Sequence, residues 1–329
     1  MKICYIGSSG HAGFGFSGAQ GREDVRFVAA APGSQGESVE GLLPSMRAFG
    51  GEPVLYDDYR EMLQREHPDV AVVNCHYGDH YRAAVAAMEA GCHLFIEKPM
   101  AITLEQLHLV RETYEKSGVQ LAAMLNYRYT GSFYRAWELI QQGAVGQVRL
   151  LNAQKSYKLG TRPPFTHRRE SYGGTIPWVG IHAIDWIAWM SGQRFQSVTA
   201  LQSSQCNHGF GTIEMDALCQ FQLTNEVVAS LTVDYLNPKE APRHGDDRIR
   251  VVGTQGVLEV KGPELTLINP DAQGIQRIDC PEDGELFAGF LDQIQGKGCC
   301  RLSAEDSFYA TEAAIRAQMA ADSGEKVAF

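Results

Sequence analysis

Glu97-Lys98-Pro99 closes an apolar run, Leu94 to Ile96, that reads as a buried strand. A lysine fixed at the carboxyl end of a strand in a nucleotide-binding sheet faces the crevice where such sheets take ligands. There its ammonium can polarise a carbonyl or alcohol oxygen while a hydride moves. The plainer alternative is a surface lysine before a turn proline, which fits poorly with the apolar run directly before it. A second reactive set lies in Gly173-Gly174-Thr175-Ile176-Pro177-Trp178-Val179-Gly180-Ile181-His182-Ala183-Ile184-Asp185-Trp186. Read as helix, this stretch places Asp185 three residues after His182, on the same face. Histidine is suited to take the proton of an alcohol near neutral pH, and a histidine satisfied in the core is the alternative. Asp185 could touch substrate, orient the histidine or only pack the helix. The stretch from Lys155 to Tyr172 carries Lys155, Lys158, Arg162, His167, Arg168 and Arg169, then leads into the glycine pair. It predicts a border of the substrate pocket suited to an anionic substrate such as a sugar acid or phosphate. A solvated or subunit-contacting loop is the alternative.

The elements that must position these groups alternate along the first part of the chain. Strands are expected at Lys2 to Ile6, Arg26 to Ala31, Val54 to Tyr56, Asp69 to Val73, His93 to Ile96 and Val119 to Met124. Between them lie helical patterns at Val39 to Phe49, Tyr59 to Glu66, His80 to Ala90 and Leu104 to Lys116. Gly91 and Gly118 fall just past two of these helices, where a left-handed cap is wanted. Strands alternating with helices predict a parallel, doubly wound sheet. After about residue 125 the texture changes. One more helix, Phe133 to Gln142, leads into runs that are apolar at every second position, such as Met215 to Leu223 and Val227 to Tyr235. Thr224-Asn225-Glu226 joins these two as an antiparallel pair. Gln147 to Tyr157, Ser197 to Ser204, Arg248 to Val252, Val257 to Val260 and Leu265 to Asn269 add further strands. Helices at Glu285 to Gln295 and Ala304 to Ala321 close the chain. The fold class is therefore α/β, an N-terminal Rossmann domain (1-124) followed by an α+β domain (125-329) with a large, mostly antiparallel sheet. The last helix is free to pack back on the first domain.

Gly7-Ser8-Ser9-Gly10-His11-Ala12-Gly13 follows the first strand. A glycine turn entering a helix lets backbone N–H groups approach a pyrophosphate. The spacing is GxxGxxG, through Gly7, Gly10 and Gly13; the GxGxxG register would place Ser9 and Ala12 where glycines are usual. Gly7, Ser9, Gly10, His11 and Ala12 are cofactor candidates. The next stretch, Phe14 to Gly21, is rich in glycine and predicts a short or irregular first helix. The second strand ends in Ala31-Pro32-Gly33-Ser34, with no carboxylate before Glu37 and no arginine nearby. An acidic residue there would select NAD through the ribose, so both NAD and NADP stay open, with Ser34 as a 2′ contact.

The order of strand, glycine turn, four further strand-like runs and Glu-Lys-Pro resembles the glucose–fructose oxidoreductase / inositol dehydrogenase (Gfo/Idh/MocA) family of nicotinamide-dependent enzymes. The resemblance spans nearly the whole chain, and Leu302 to Ala320 is similar to the family's closing helix. It implies that Lys98 binds the substrate oxygen being oxidised and helps move its proton, with Glu97 beside the cofactor. It implies that Asn74-Cys75-His76-Tyr77-Gly78-Asp79-His80 passes beneath the nicotinamide ribose, which makes Cys75, His76 and His80 cofactor-side candidates. His182 matches a motif histidine on a helix facing the nicotinamide. Asn126-Tyr127-Arg128-Tyr129 falls where the family surrounds its substrate, so Tyr127 and Arg128 are substrate candidates, beside Arg162 of the basic stretch. One position departs: where the family carries Asp four residues before the histidine, this chain has Trp178, whose indole could stack on a sugar ring. The implied activity is NAD(P)-dependent hydride transfer to or from a hydroxyl of a sugar, sugar derivative or cyclitol, with Lys98 and His182 as the acid/base pair. A redox-neutral enzyme that processes glycosides with a recycled NAD is one alternative. A non-catalytic regulator that binds dinucleotide and a partner protein is the other; loss of the Asp favours it, and Lys98 and His182 oppose it.

Bulk composition narrows the classes. The 329 residues suggest about two domains. A hydrophobic share of 44% and a charged share of 21% are ordinary for a globular chain. The net charge of −10 argues against nucleic-acid binding. No apolar run reaches the ~18 residues of a membrane span, and Met1-Lys2 runs straight into a strand without a signal-peptide layout. The eight cysteines include no CxxC pair and read as reduced thiols of a cytoplasmic protein with no zinc site. One sheet face without a cover predicts a homodimer or homotetramer through the C-terminal sheet.

Overall fold

The computed structural model describes residues 1–329. Its backbone contacts cluster into two units. The first comprises Met1–Asn126 together with Glu170–Gly173 and Glu285–Thr311; the second comprises Tyr127–Arg169, Gly174–Gly284 and Glu312–Phe329.

The first unit is built on six parallel strands: β1 (Lys2–Ile6), β2 (Arg26–Ala31), β3 (Val54–Leu55), β4 (Val70–Val73), β5 (His93–Ile96) and β6 (Leu121–Ala123). Their order, β3-β2-β1-β4-β5-β6, reverses direction between β1 and β4. A crevice opens above the carboxyl ends at such a reversal, and dinucleotides bind there. All four residues of β4 are buried, because helices cover both faces of a parallel sheet. The helices are α1 (Gly13–Ala19), α2 (Leu43–Arg47), α3 (Tyr59–Glu66), α4 (His80–Glu89) and α5 (Leu104–Ser117). Thr103 caps α5 by accepting from the Gln106 N–H, and Gly118 ends it in a left-handed conformation. Two glycines of α1 have a packing reason: a Cβ at Gly15 would run into Tyr5 Oη, and one at Gly18 would lie 2.6 Å from Phe287 Cβ, on a later helix of the same unit. Close approach, not helix propensity, selects glycine there.

The second unit holds a nine-stranded sheet: β7 (Val148–Tyr157), β8 (Phe195–Ser203), β9 (Asp216–Leu223), β10 (Val228–Asp234), β11 (Gly245–Gly253), β12 (Val257–Lys261), β13 (Glu264–Ile268), β14 (Gln276–Arg277) and β15 (Val327–Ala328). Only β7 and β10 pair in parallel. The Thr224–Glu226 link joins β9 to β10 antiparallel, with Asn225 at φ 54° making the tight turn. β9 alternates buried and exposed residues along its length, which is the pattern of a half-covered sheet. Helices α6 (Gly131–Gln141), α7 (Arg169–Tyr172), α8 (Ile181–Ser191), α9 (Leu286–Ile294) and α10 (Ala304–Ser323) complete the chain. The open face carries Leu201 opposite Leu218, with Val228 further along, opposite Gln222. The strand expected at Arg248 to Val252 is longer than its apolar alternation suggests. It begins at Gly245, and this extension sets Asp247 directly opposite Lys155 of β7. The two-residue strands β14 and β15 are too short to leave a pattern in sequence.

Candidate active site

In the first unit the glycine turn is fixed from three sides. Gly7 N–H donates to Ala31 O at 2.9 Å, and Ser9 N–H donates to Asn74 O at 2.6 Å. Gly7 has φ +85°, and a Cβ there would run into the backbone of Cys75. Gly10 has φ +65°, and a Cβ there would run into the Glu97 carboxylate. That carboxylate is fully buried and accepts from the His11 backbone N–H and, at 2.7 Å, from His11 Nδ1. Burial alone would raise its pKa; His11, its hydrogen bonds and Lys98 outweigh burial and hold it below the usual value. Glu97 Oε1 accepts the Lys98 N–H at 2.8 Å, and Lys98 is fully buried at the carboxyl end of β5. Ala12 precedes α1, with its carbonyl accepting from Tyr5 Oη at 2.8 Å.

The loop after β4 is ordered by similar contacts. Ser34 Oγ donates to Asp79 at 2.8 Å and accepts the His76 N–H at 3.0 Å. His80 is buried, with Nδ1 2.7 Å from Pro99 O and Nε2 3.0 Å from Cys75 O. Burial holds its pKa below the usual value, so a neutral ring can donate to only one of the two carbonyls. Burial also raises the Cys75 thiol well above its ordinary pKa, which makes it inert packing. Glu37, absent from the sequence-based candidates, turns back to the glycine turn. It accepts from Ser8 N–H at 3.0 Å, Ser9 Oγ at 3.0 Å and Gly33 N–H at 3.1 Å. Six residues separate it from the end of β2, too far for a strand-end rule to reveal it.

These residues fit a dinucleotide. The two glycine positions leave a cradle that side chains would fill, and the buried Asn74 Oδ1 beside the turn has no hydrogen-bond partner. Asn74 Nδ2 already donates to Ser9 O at 2.9 Å, so the free acceptor faces a donor not supplied by the chain.

In the second unit, Ile176–Gly180 forms one π-helical turn that runs into α8. Such turns widen a helix locally and recur at functional sites. His182 follows directly and is 2% exposed. Trp178 lies within the π turn and is 7% exposed, so little of its indole is open for stacking. Asp185 is taken by Arg128, with Nη2 2.7 Å from Oδ1 and Nε 3.3 Å from Oδ2. Both are buried, which makes them a bidentate internal ion pair. Tyr127 meets His182 edge-on, with ring centroids 5.1 Å apart. Its hydroxyl donates to Asp247 and accepts from Lys155. The basic stretch is largely spent within the fold. Lys158 Nζ donates to Lys239 O at 2.9 Å, Arg162 stacks on Tyr235 at 4.1 Å, and Arg169 pairs with Glu214 and Asp322. Of the expected anionic-substrate border, Lys155 and Arg169 meet carboxylates, while Lys158 and Arg162 turn to backbone carbonyls and a ring.

Two family models match the chain. The model described as "Oxidoreductase family, NAD-binding Rossmann fold" covers residues 15–125, and the GFO/IDH/MocA C-terminal domain covers residues 133–259. A solved structure from Thermotoga maritima, described as a "putative oxidoreductase", aligns over 100% of both chains at 43% identity and a TM-score of 0.95. This chain belongs to the Gfo/Idh/MocA family. The model over its first part describes oxidoreductases with an NAD-binding Rossmann fold. Among characterised relatives, D-glucoside 3-dehydrogenase of Escherichia coli K12 is 29% identical over 51% of this chain, a match spanning only 47% of that enzyme. Myo-inositol 2-dehydrogenase of Thermotoga maritima is 25% identical over 71% of this chain and 69% of its own. Levoglucosan dehydrogenase, solved with NADH and levoglucosan, shares the fold at a TM-score of 0.84 and 18% identity. No helix of this Gfo/Idh/MocA protein is long and apolar enough to cross a membrane.

Proposed function

We propose that this protein is a dehydrogenase that oxidises a ring hydroxyl of a sugar, sugar derivative or cyclitol, or reduces the corresponding ketone, with NAD preferred over NADP. The observation that carries the reading is Lys98, fully buried at the carboxyl end of β5 beside a carboxylate that the glycine turn itself holds. A buried ammonium at that point is a strong hydrogen-bond donor for an alcohol or carbonyl oxygen. The bound nicotinamide would accept or donate the hydride. Gly7, Ser9, Gly10 and His11 would line its pyrophosphate, and Asn74 would supply an acceptor. Glu37 supports the NAD preference, because a carboxylate at the mouth of β1 and β2 accepts ribose hydroxyls and repels a 2′-phosphate. His182 would take the alcohol proton. Trp178 would shape the apolar side of the pocket. Asp185, engaged by Arg128, would hold the helix in place. The names of the glucoside and inositol dehydrogenases support a polyhydroxylated substrate. We also propose a homodimer or homotetramer joined through the open sheet face, which light scattering would report.

The test is turnover of purified protein with NAD or NADP on a panel of glucosides, free sugars, sugar acids and cyclitols, followed by nicotinamide absorbance. Net reduction of NAD with at least one polyol supports the reading. In Lys98→Met, kcat/KM should fall by about 10²- to 10⁴-fold while NAD affinity is nearly kept. Product formed without net NADH would mark the redox-neutral alternative. Dinucleotide binding without turnover on any panel member would favour the regulator.

A further inference from the structure

The second unit encloses a cation that none of the assignments above uses. Lys155, near the end of β7, is fully buried. Its Nζ lies 2.7 Å from Asp247 Oδ1, directly across the ladder on β11. The same ammonium donates to Tyr127 Oη, which donates in turn to the other oxygen of Asp247. Three rings surround Nζ: Tyr127 at 4.2 Å, Tyr157 at 4.6 Å and Trp186 at 5.4 Å. The indole N–H of Trp186, one helical turn past His182, is buried without a hydrogen-bond partner. A lone buried lysine is costly, and this one keeps its charge only through Asp247 and the aromatic faces. Burial draws its pKa down to about 8, against the pull of Asp247.

Tyr127 connects this group to the candidate base. One side of its ring meets His182, and the ring also lines a cavity of about 630 Å³ with Tyr157, His244 and Asp247. The spacings bound the distance from Nζ to the imidazole at roughly 9 Å. The other charges on the elements packed against α8 are paired, bonded or exposed. Asp185 is paired with Arg128, Arg135 with Glu138 at 3.2 Å, Arg248 with Asp246 and Arg149 with Glu226; Asp234 accepts from Ser156 Oγ, and Arg250 is exposed. The Lys155–Asp247 pair is therefore the electrostatic lever on that side of the helix.

We infer that Tyr127, Lys155 and Asp247 form a positioning unit for His182: the tyrosine ring fixes the imidazole, and the balanced Lys–Asp pair behind it sets how readily that imidazole holds a proton. This rests on the reading of His182 as the proton acceptor, and it adds three positioning residues to that reaction. The unit works only as a pair. Removing the cation alone leaves Asp247 as a nearby anion, which stabilises the imidazolium; removing both charges restores balance.

The test follows the His182 imidazole by NMR titration of the full chain, assigned by loss of its signal in His182→Gln. In Lys155→Met the titration midpoint should rise by about one pH unit, the size expected for a charge at this range in an effective dielectric of about 20. Lys155→Arg, which keeps the cation, and the double variant Lys155→Met/Asp247→Asn should both return it close to the original. A merely structural role predicts the reverse order, with the double variant most disturbed. If Lys155→Met folds and leaves the midpoint within about 0.2 unit, or if the double variant fails to restore it, the inference is overturned. Should Lys155→Met not fold, Asp247→Asn, which leaves the cation without its counter-charge, should lower the midpoint by a similar amount, and an unmoved midpoint there also overturns the inference. Where turnover is found, the acidic limb of kcat/KM should move the same way. Absent turnover with an intact NMR response would reject the dehydrogenase reading and leave the positioning unit standing.

Discussion

At the scale of single residues, the site is made of charges that the fold has already paired, and each pairing fixes the consequence of removing one partner. Glu37 accepts three hydrogen bonds at the glycine turn. Glu37→Gln should raise the Kd for NAD roughly 10-fold and narrow the preference over NADP, measured by fluorescence titration of both cofactors. An unchanged NAD/NADP ratio would remove Glu37 from cofactor selection. Arg128 and Asp185 present the opposite case, a buried ion pair. Arg128→Met should destabilise by about 3–5 kcal/mol in urea unfolding, because a buried carboxylate is left without its partner. Adding Asp185→Asn should recover part of that loss. Recovery of stability without recovery of turnover would show that Asp185 also takes part in the chemistry.

At the scale of elements, glycine content and helix geometry work against propensity. α1 contains three glycines in seven residues and still forms; at Gly15 and Gly18 its backbone must approach Tyr5 and Phe287 closely. Gly18→Ala raises helix propensity, yet it should destabilise by about 1–3 kcal/mol in urea unfolding through overpacking. A stabilised variant would mean that the helix has room to move outward. The π turn before α8 makes a related point. It is the local irregularity that sets where His182 stands on the helix, and a regular 3.6-residue wheel drawn from Gly174 misplaces everything after it.

At the scale of the whole molecule, buried ionisable groups set the response to acid. His80, His93 and His244 all titrate below their usual 6.5, each chiefly because of burial. The unfolded chain therefore binds more protons than the folded one just below pH 6.5, and stability falls as pH drops through that range. Glu97 is the reverse: its pKa is held below 4.5, so its contribution is present above 4.5 and is lost as pH falls through its folded value. Thermal midpoints recorded from pH 8 to 3 should decline in two stages, the first beginning near 6.5. A flat profile down to pH 5 would contradict the burial of His80.

What the sequence determined by itself was local. The spacing of Gly7, Gly10 and Gly13 after an apolar strand, the Glu-Lys-Pro at the end of another, and the alternation in Met215 to Leu223 each express a requirement within a few residues of chain. Glycine is needed where φ is positive, and apolar residues recur with the period of the element that buries them. From these, both sheets and the places of Lys98 and His182 could be read. The tertiary structure alone decided the partners. Glu37 reaches the glycine turn from a loop 28 residues on. Asp247 meets Lys155 from 92 positions away, and only because β11 starts earlier than its apolar residues show. Arg128 claims Asp185 across 57 residues, and Glu285–Thr311 returns to the first unit before the last strand of the second sheet is laid down. A charge in a single sequence has no period and no preferred neighbour. Its partner is chosen by burial, since an unpaired charge in the interior is too costly to keep, and which charges are buried together is known only once the chain has folded.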